Sequence, residues 1–288
     1  MLTPAQLEQF AEDGFLVLPG AIPAARCLEL RRRAVELVEE LAPAQPGSTF
    51  STVARPQDDD AAFLASASGI RCFWEDGLEQ GAAAGGDSAG SDGDAAGAHP
   101  IDRINKLGHA LHDLDPVFDA FSRQPALAEV VADLALPDPR LLQSMYIVKA
   151  PRVGGEVVWH DDHTYLWTEP RSVVGLWVAL DDATEENGCL WAVPGDHRGP
   201  PRTRYRRGPE GALTETLDPR PYPTERAVPL PAPRGTLVLL DGLCPHASRP
   251  NRSDAPRHAY TVHVISGAAD YPADNWLQRG PDLPLRGF

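Results

Sequence analysis

The sequence lacks several features that mark specialised classes of protein. It has no uninterrupted apolar run of about 18 residues, the length that a membrane span needs, and it does not begin with a basic stretch followed by an apolar one. Its four cysteines form no C-x-x-C pair, so neither a zinc knuckle nor a secreted disulfide framework is expected. Basic residues are also few: 26 Lys and Arg stand against 41 Asp and Glu, and the net charge of -15 would repel nucleic acid and anionic membranes. We therefore expect a cytoplasmic protein with neither as a partner.

What is present favours a β-rich globular domain. The 288 residues are 42% hydrophobic, and 29 Pro with 25 Gly indicate many turns. Thr3 before a proline is typical of a helix start, and a strand-like FLVLPG and an amphipathic helix follow. From Leu141 onward, short β-like runs alternate with turn residues, among them the hairpin signal Asn187-Gly188. We predict one domain over residues 1–288, mainly β with flanking helices.

Two segments depart from this pattern. Residues 79–100 consist largely of Gly, Ala, Ser and Asp, which bury too little surface to offset the entropy of ordering, so a flexible surface insertion is expected. Residues 198–228 are too long for a simple connection and predict a lid-like loop. Its basic residues fit either a solvated loop or recruitment of an anionic substrate: Arg202, Arg204, Arg206 and Arg207.

The segment VVWHDDHTY offers four side chains that could bind a metal. On a strand, His160 and Asp162 would point to one face, and Asp161 and His163 to the other. A third ligand must come from elsewhere, and His246 beside a later strand is the candidate. Two imidazoles and one carboxylate on one face form the facial triad that binds Fe(II) and leaves positions open for other ligands.

An arginine near the C-terminus adds a second kind of ligand. The region after His246 reads as strand, turn and strand, with the turn near Asn251. A hairpin there would set His246 roughly opposite Arg257. A buried arginine beside a metal site is a rigid fork for a carboxylate.

Together these blocks resemble the phytanoyl-CoA dioxygenase family of Fe(II)/2-oxoglutarate oxygenases. The similar blocks extend over nearly the whole chain, from LTPAQLEQFAEDGFLVLPG through LWVALDDATEENGCLWAVPGDH to the distal histidine and arginine. The resemblance implies a double-stranded β-helix, a cupin-like jelly roll. It implies that His160, Asp162 and His246 hold Fe(II), and that Arg257 binds the distal carboxylate of 2-oxoglutarate.

Further roles follow from the resemblance alone. It implies contacts with 2-oxoglutarate from Lys106, Met145 and Trp177, although core packing is an alternative for the last two. A lysine in the apolar setting of Lys106 needs an anionic partner. The implied reaction uses O2, with ascorbate as a stimulant, and converts 2-oxoglutarate to succinate and CO2 while a small organic substrate is oxidised. Because related halogenases carry a small residue in place of Asp162, hydroxylation is favoured over halogenation.

Other readings stay open. The fold could be a non-catalytic metal-binding or ligand-binding scaffold, or a metal enzyme that does not use 2-oxoglutarate. Four further histidines are interpreted as structural: His258 and His263 as packed or edge residues of the last strand, and His109 and His112 as a solvated or satisfied pair on a helical stretch. Neither the substrate nor the oligomeric state can be read from the sequence.

Overall fold

The computed structural model describes residues 1–45, 48–50, 61–76, 99–209 and 211–288. The predicted insertion at 79–100 therefore lies outside the described residues, apart from its last two positions. The described helices are α1 (Pro4–Asp13), α2 (Ala24–Leu41), α3 (Ala61–Ala65), α4 (Leu111–Leu114), α5 (Pro116–Ser122) and α6 (Pro125–Asp133). None of them is long and apolar enough to cross a membrane.

Strands make up most of the remaining secondary structure. They are β1 (Phe15–Leu18), β2 (Ser48–Phe50), β3 (Ile70–Glu75), β4 (Ile104–His109), β5 (Pro139–Lys149), β6 (Val157–His160), β7 (Val174–Ala179), β8 (Leu190–Ala192), β9 (Thr203–Gly208), β10 (Gly211–Thr216), β11 (Val228–Leu230), β12 (Leu237–Asp241), β13 (His246–Ser248) and β14 (Arg257–Ser266). The fold is thus mainly β with flanking helices, as predicted.

The first helix shows how closely the sequence dictates local structure. Thr3 caps α1: its hydroxyl accepts a hydrogen bond from the backbone of Gln6, and the Gln6 side chain accepts one from the Thr3 backbone. Gly14 ends the helix with a φ of 80°, a left-handed conformation that glycine adopts without strain. The predicted helix start and the strand that follows are both confirmed.

The strands form two main sheets. The larger has the order β1-β12-β7-β14-β5-β4-β3-β2, and the smaller has the order β11-β8-β13-β6. All pairs are antiparallel except β2 with β3. One cavity is lined by residues of both sheets, so it lies between them.

Strand alternation separates the hydrophobic core from this cavity. On β14, Tyr260, Val262 and Val264 pack in a core with residues of α2, α5 and α6, whereas Thr261 and His263 line the cavity. The period of two along a strand produces this division. Helices therefore cover one face of the larger sheet, and the other face lines the cavity.

Two local predictions need correction or refinement. Asn187-Gly188 does form a turn, with Gly188 at a φ of 88°, but it joins β7 and β8, which lie in different sheets, so it is not a hairpin between paired strands. Within residues 198–228, β9 and β10 pair as a two-stranded hairpin. Its role as a lid stays a prediction.

The arginines of this hairpin region have protein partners. Arg202 pairs with Asp196 at 2.8 Å, Arg204 with Asp274 at 2.6 Å, and Arg206 with Glu215 at 3.1 Å. Arg207 donates to the carbonyl of Trp276 at 2.8 Å. Arg204 and Arg207 thus attach the hairpin to the C-terminal segment, and the partners of all four arginines favour a structural role over capture of an anionic substrate.

Candidate active site

Three side chains of the predicted metal site converge at the end of the smaller sheet. His160 is the last residue of β6 and is the direct cross-strand partner of His246, the first residue of β13. Asp162 follows β6 in a short 3-10 turn, and its Oδ1 lies 3.9 Å from His246 Nε2. One potential ligand atom from each residue lies within 4.8 Å of the other two. The three side chains can therefore converge on one ion.

Two expectations about how these residues come together were wrong. Asp162 lies in a turn rather than on a strand, so strand alternation does not explain its direction. His246 does not face Arg257 across a hairpin, because β13 belongs to the smaller sheet and β14 to the larger one. The chain between them crosses from one sheet to the other, and both side chains line the cavity between the sheets.

Asp161 supports the turn that carries Asp162. Its Oδ1 accepts hydrogen bonds from the backbone and the hydroxyl of Thr164, at 2.8 and 3.0 Å, and its Oδ2 accepts one from the Tyr222 hydroxyl at 2.7 Å. Both oxygens are thus bonded to groups other than the three converging ligands, and Asp161 does not belong to the cluster. His163 is buried against Trp167, with ring centroids 4.4 Å apart, and does not line the cavity.

Backbone carbonyls orient the two converging imidazoles. His160 Nδ1 lies 2.8 Å from the carbonyl of Val158, and His246 Nδ1 lies 3.0 Å from that of Cys244. A carbonyl only accepts, so each Nδ1 carries the proton and each Nε2 lone pair is left for a metal. Burial, followed by the neighbouring His246, lowers the pKa of His160 to about 4, so its imidazole is neutral at neutral pH.

Asp162 supplies the negative charge of the cluster. Burial by itself would raise the pKa of this carboxyl, but the imidazoles of His263 and His246 lower it below its usual value. A charged carboxylate with two imidazoles is a donor set suited to a divalent transition metal.

Arg257 is a buried cation on the same cavity. It is only 1% exposed, and its Nε and Nη1 have no hydrogen-bond partner among the described residues. Burial lowers its pKa to about 10, so the guanidinium still carries its charge at neutral pH. An unpaired buried charge is costly, and an anionic ligand in the cavity would offset this cost.

The cavity brings all of the predicted site residues together. It has a volume of about 250 Å³, and its walls include the three converging ligands, Arg257, Lys106, Met145 and Trp177. The Arg257 guanidinium lies 5.7 Å from the Trp177 ring centroid. The Lys106 ammonium lies 5.4 Å from the ring centroids of both Phe63 and Phe73, and burial lowers its pKa well below the usual value. No acidic side chain other than Asp162 lines the described part of the cavity, which favours anionic ligands.

The cavity also includes residues that were not predicted from the sequence. Ser248 is buried two positions after His246 on β13, so strand alternation could have placed it on the same face. His263 is buried, as one of its two interpretations had it, but it is not an edge residue, because β14 is flanked by β5 and β7; its Nε2 lies 3.1 Å from Asp162 Oδ2, a contact that was missed. His258, by contrast, is packed outside the cavity, where it bonds the Tyr146 hydroxyl.

His109 and His112 do not form the helical pair that the sequence suggested. His109 ends β4, lines the cavity, and bonds Ser66 Oγ through Nδ1 at 2.7 Å. His112 lies in α4, where its Nδ1 bonds Ser144 Oγ at 2.7 Å and its Nε2 contacts Asp113 at 3.1 Å. Each ring thus has its own partner, and the two do not converge on one site.

Comparison with known proteins places this geometry in a family. The family model described as phytanoyl-CoA dioxygenase (PhyH) matches residues 10–259. Phytanoyl-CoA dioxygenase domain-containing protein 1 of Bos taurus is 41% identical over 294 residues, covering 99% of this chain and 97% of that protein. Phytanoyl-CoA dioxygenase 1 of Oryza sativa subsp. japonica is 40% identical over 287 residues, with the same coverage of 99% and 97%.

Solved structures share the fold at lower identity. The non-heme, alpha ketoglutarate dependent carbocyclase SnoK from nogalamycin biosynthesis has a TM-score of 0.65 at 18% identity, covering 99% of this chain and 96% of that one. EvdO2 from Micromonospora carbonacea var. aurantiaca, solved in complex with 2-oxoglutarate, has a TM-score of 0.57 at 22% identity, covering 97% and 98%. These similarities confirm the double-stranded β-helix predicted from the sequence. The chain therefore belongs to the phytanoyl-CoA dioxygenase (PhyH) family and is an oxygenase.

Proposed function

We propose that this protein is an Fe(II)- and 2-oxoglutarate-dependent dioxygenase that hydroxylates a small organic substrate and releases succinate and CO2. The observation that carries the proposal is the placement of a buried, incompletely paired arginine and a His-Asp-His cluster on one cavity. A metal site alone would need no such arginine. The two features together fit a ligand that has one end on a metal and a carboxylate at the other end.

The residues that line the cavity fit both Fe(II) and 2-oxoglutarate. Two imidazoles and one carboxylate match the preferences of Fe(II), and they leave positions open for further ligands. Arg257 offers guanidinium N–H groups with no described partner, suited to bidentate binding of a carboxylate. When bound, Fe(II) and 2-oxoglutarate supply the oxidising chemistry, in which decarboxylation of 2-oxoglutarate is coupled to oxidation of the substrate by O2.

The side chains of the cavity would bind the metal and the co-substrate, orient them and enclose the reacting centre. His160, Asp162 and His246 would hold the metal, with the imidazole tautomers fixed by backbone carbonyls. Arg257 would bind the distal carboxylate. The cavity walls would exclude water from the reacting centre, and a volume of about 250 Å³ favours a small substrate or a small reacting portion of a larger one.

Lys106, Met145 and Trp177 would complete the co-substrate pocket. All three line the same cavity as Arg257, and Trp177 lies against its guanidinium. Ser248 lines this cavity too, and its hydroxyl is a further candidate for a hydrogen bond to a bound carboxylate.

Substitution of Arg257 tests the proposal. We expect Arg257→Met to bind Fe(II) as the wild type does but to lose affinity for 2-oxoglutarate on the order of 100-fold, because at least two charge-assisted hydrogen bonds are lost. The 2-oxoglutarate affinity of Arg257→Lys should lie between those of the wild type and Arg257→Met, since lysine keeps the charge but lacks the planar guanidinium fork. The measurement is anaerobic calorimetry, with metal and then 2-oxoglutarate titrated into each variant.

The control is Arg249→Met, which removes an exposed arginine that stacks on Trp191 outside the cavity. It should leave both affinities unchanged. A wild-type protein that binds metal but no 2-oxoglutarate would contradict the proposal in favour of a metal enzyme of another kind. If the wild type bound neither, the protein would be a scaffold that keeps the fold without the activity.

A further inference from the structure

We propose that His263 is a positioning residue, which holds the Asp162 carboxylate so that a single oxygen is presented to the metal. This inference rests on the proposed function, because it concerns how one of the three metal ligands is oriented. It assigns a role to a buried histidine that neither the triad nor the co-substrate pocket uses.

The two oxygens of Asp162 face different neighbours. Oδ1 lies 3.9 Å from His246 Nε2, on the side of the three converging ligands, whereas Oδ2 lies 3.1 Å from His263 Nε2. A carboxylate oxygen accepts but cannot donate, so the His263 nitrogen that faces it carries the proton. His263 is 3% exposed, and its Nδ1 has no hydrogen-bond partner among the described residues, so the bond to Asp162 is its principal described polar contact.

The strand register makes room for this bond. Gly175 on β7 is the direct cross-strand partner of His263 on β14 and of Leu240 on β12. A Cβ atom at position 175 would lie 3.0 Å from Asp162 Oδ2, 3.5 Å from Leu240 Cβ and 3.7 Å from the His263 ring. The missing side chain of Gly175 thus leaves the space in which the carboxylate and the imidazole meet.

Holding Oδ2 has a chemical consequence. A carboxylate that is free to turn can bind a metal through both oxygens, and the second oxygen would take a position that the co-substrate or dioxygen needs. A hydrogen bond that holds one oxygen keeps the ligand monodentate and fixes its direction. Groups that support ligands in this way typically change metal affinity by about 10–100-fold when they are removed.

The experiment compares His263→Leu with His263→Gln in metal-free protein titrated anaerobically with Co(II) and then with 2-oxoglutarate. We expect the leucine variant to lose about 10–100-fold in Co(II) affinity and to show an altered Co(II) absorption spectrum. Glutamine should restore most of the affinity, because its amide N–H can reach the position of the imidazole Nε2–H. His258→Leu is the matched control: it removes a buried histidine of the same strand that lies outside the cavity, and it should leave Co(II) affinity unchanged.

Gly175→Ala tests the same contact from the opposite side, and thermal unfolding of each variant reports whether it is folded. The added methyl group would lie 3.0 Å from Asp162 Oδ2, so the carboxylate must shift by a few tenths of an ångström relative to His263, and Co(II) affinity should fall severalfold; this variant is the second test if His263→Leu does not fold. If His263→Leu folds and its Co(II) affinity is unchanged, the inference is overturned. If His263→Leu does not fold, unchanged Co(II) affinity in Gly175→Ala overturns it instead. An equal loss of Co(II) affinity in His258→Leu would also overturn it. A wild type that binds no Co(II) would instead refute the proposed function itself.

Discussion

Two adjacent carboxylates, Asp161 and Asp162, occupy different environments. Asp161 accepts hydrogen bonds from Thr164 and Tyr222, and burial raises its pKa despite these bonds. Asp162 contacts two imidazoles, which lower its pKa. Their chemistry is the same, and the structure around each of them determines whether it supports the backbone or joins the cluster with His160 and His246.

Replacement of each carboxylate by its amide should separate these roles. Removal of a group that only supports a metal ligand typically lowers metal affinity by about 10–100-fold. We expect Asp162→Asn, which replaces a ligand itself, to lower Fe(II) affinity by more than this. Asp161→Asn should retain binding, since its amide oxygen can still accept from Thr164 and its N–H can donate to the Tyr222 oxygen. Metal titration of both proteins is the measurement. Equal losses in the two variants would contradict the assignment of Asp162 alone to the metal.

At the level of elements, Asp113 ties the short helices beside β5 to the C-terminal segment. This buried carboxylate of α4 lies 3.1 Å from His112 Nε2, 2.9 Å from Arg123 Nη2 and 3.0 Å from Arg286 Nη2. His112 also bonds Ser144 on β5, next to the cavity residue Met145. The network therefore braces the strand that forms one wall of the active site.

Loss of this carboxylate should destabilise the fold in a pH-dependent way. Asp113→Asn removes a buried negative charge that contacts His112, Arg123 and Arg286, while Asp119 still pairs with both arginines, so we expect the free energy of unfolding at pH 7 to fall by about 1–3 kcal/mol. Burial by itself would raise the Asp113 pKa, but His112, Arg286 and Arg123 hold it well below the ordinary 3.8. A lowered pKa stabilises the fold above 3.8, and this contribution is lost on acidification, so the difference between wild type and variant should shrink as the pH falls below that value.

Urea unfolding at several pH values measures this difference. Asp119→Asn is the control, since this more exposed carboxylate pairs with the same two arginines and should contribute about 0–1 kcal/mol. A loss that stays constant from pH 7 down to pH values near 3 would be inconsistent with the charge network as its cause.

For the whole molecule, local sequence patterns predicted local structure, but they did not predict which strands pair with each other. The cap at Thr3, the mainly β architecture and the candidate ligands His160, Asp162 and His246 could be proposed from motifs and family resemblance. The sheet to which each strand belongs could not, because pairing joins residues far apart in sequence. That is why β13 and β14 were wrongly expected to form a hairpin, and why the contact between His263 and Asp162, which depends on the register of β14 with β7, was missed.

The central claim is that one cavity holds both a metal and 2-oxoglutarate. The most direct test is anaerobic calorimetry of 2-oxoglutarate binding to the wild-type protein with and without Fe(II). Because one end of the co-substrate would bind the metal and the other Arg257, we predict one equivalent bound per chain and much tighter binding when Fe(II) is present. Binding of equal strength without metal, or no binding in its presence, would contradict the account.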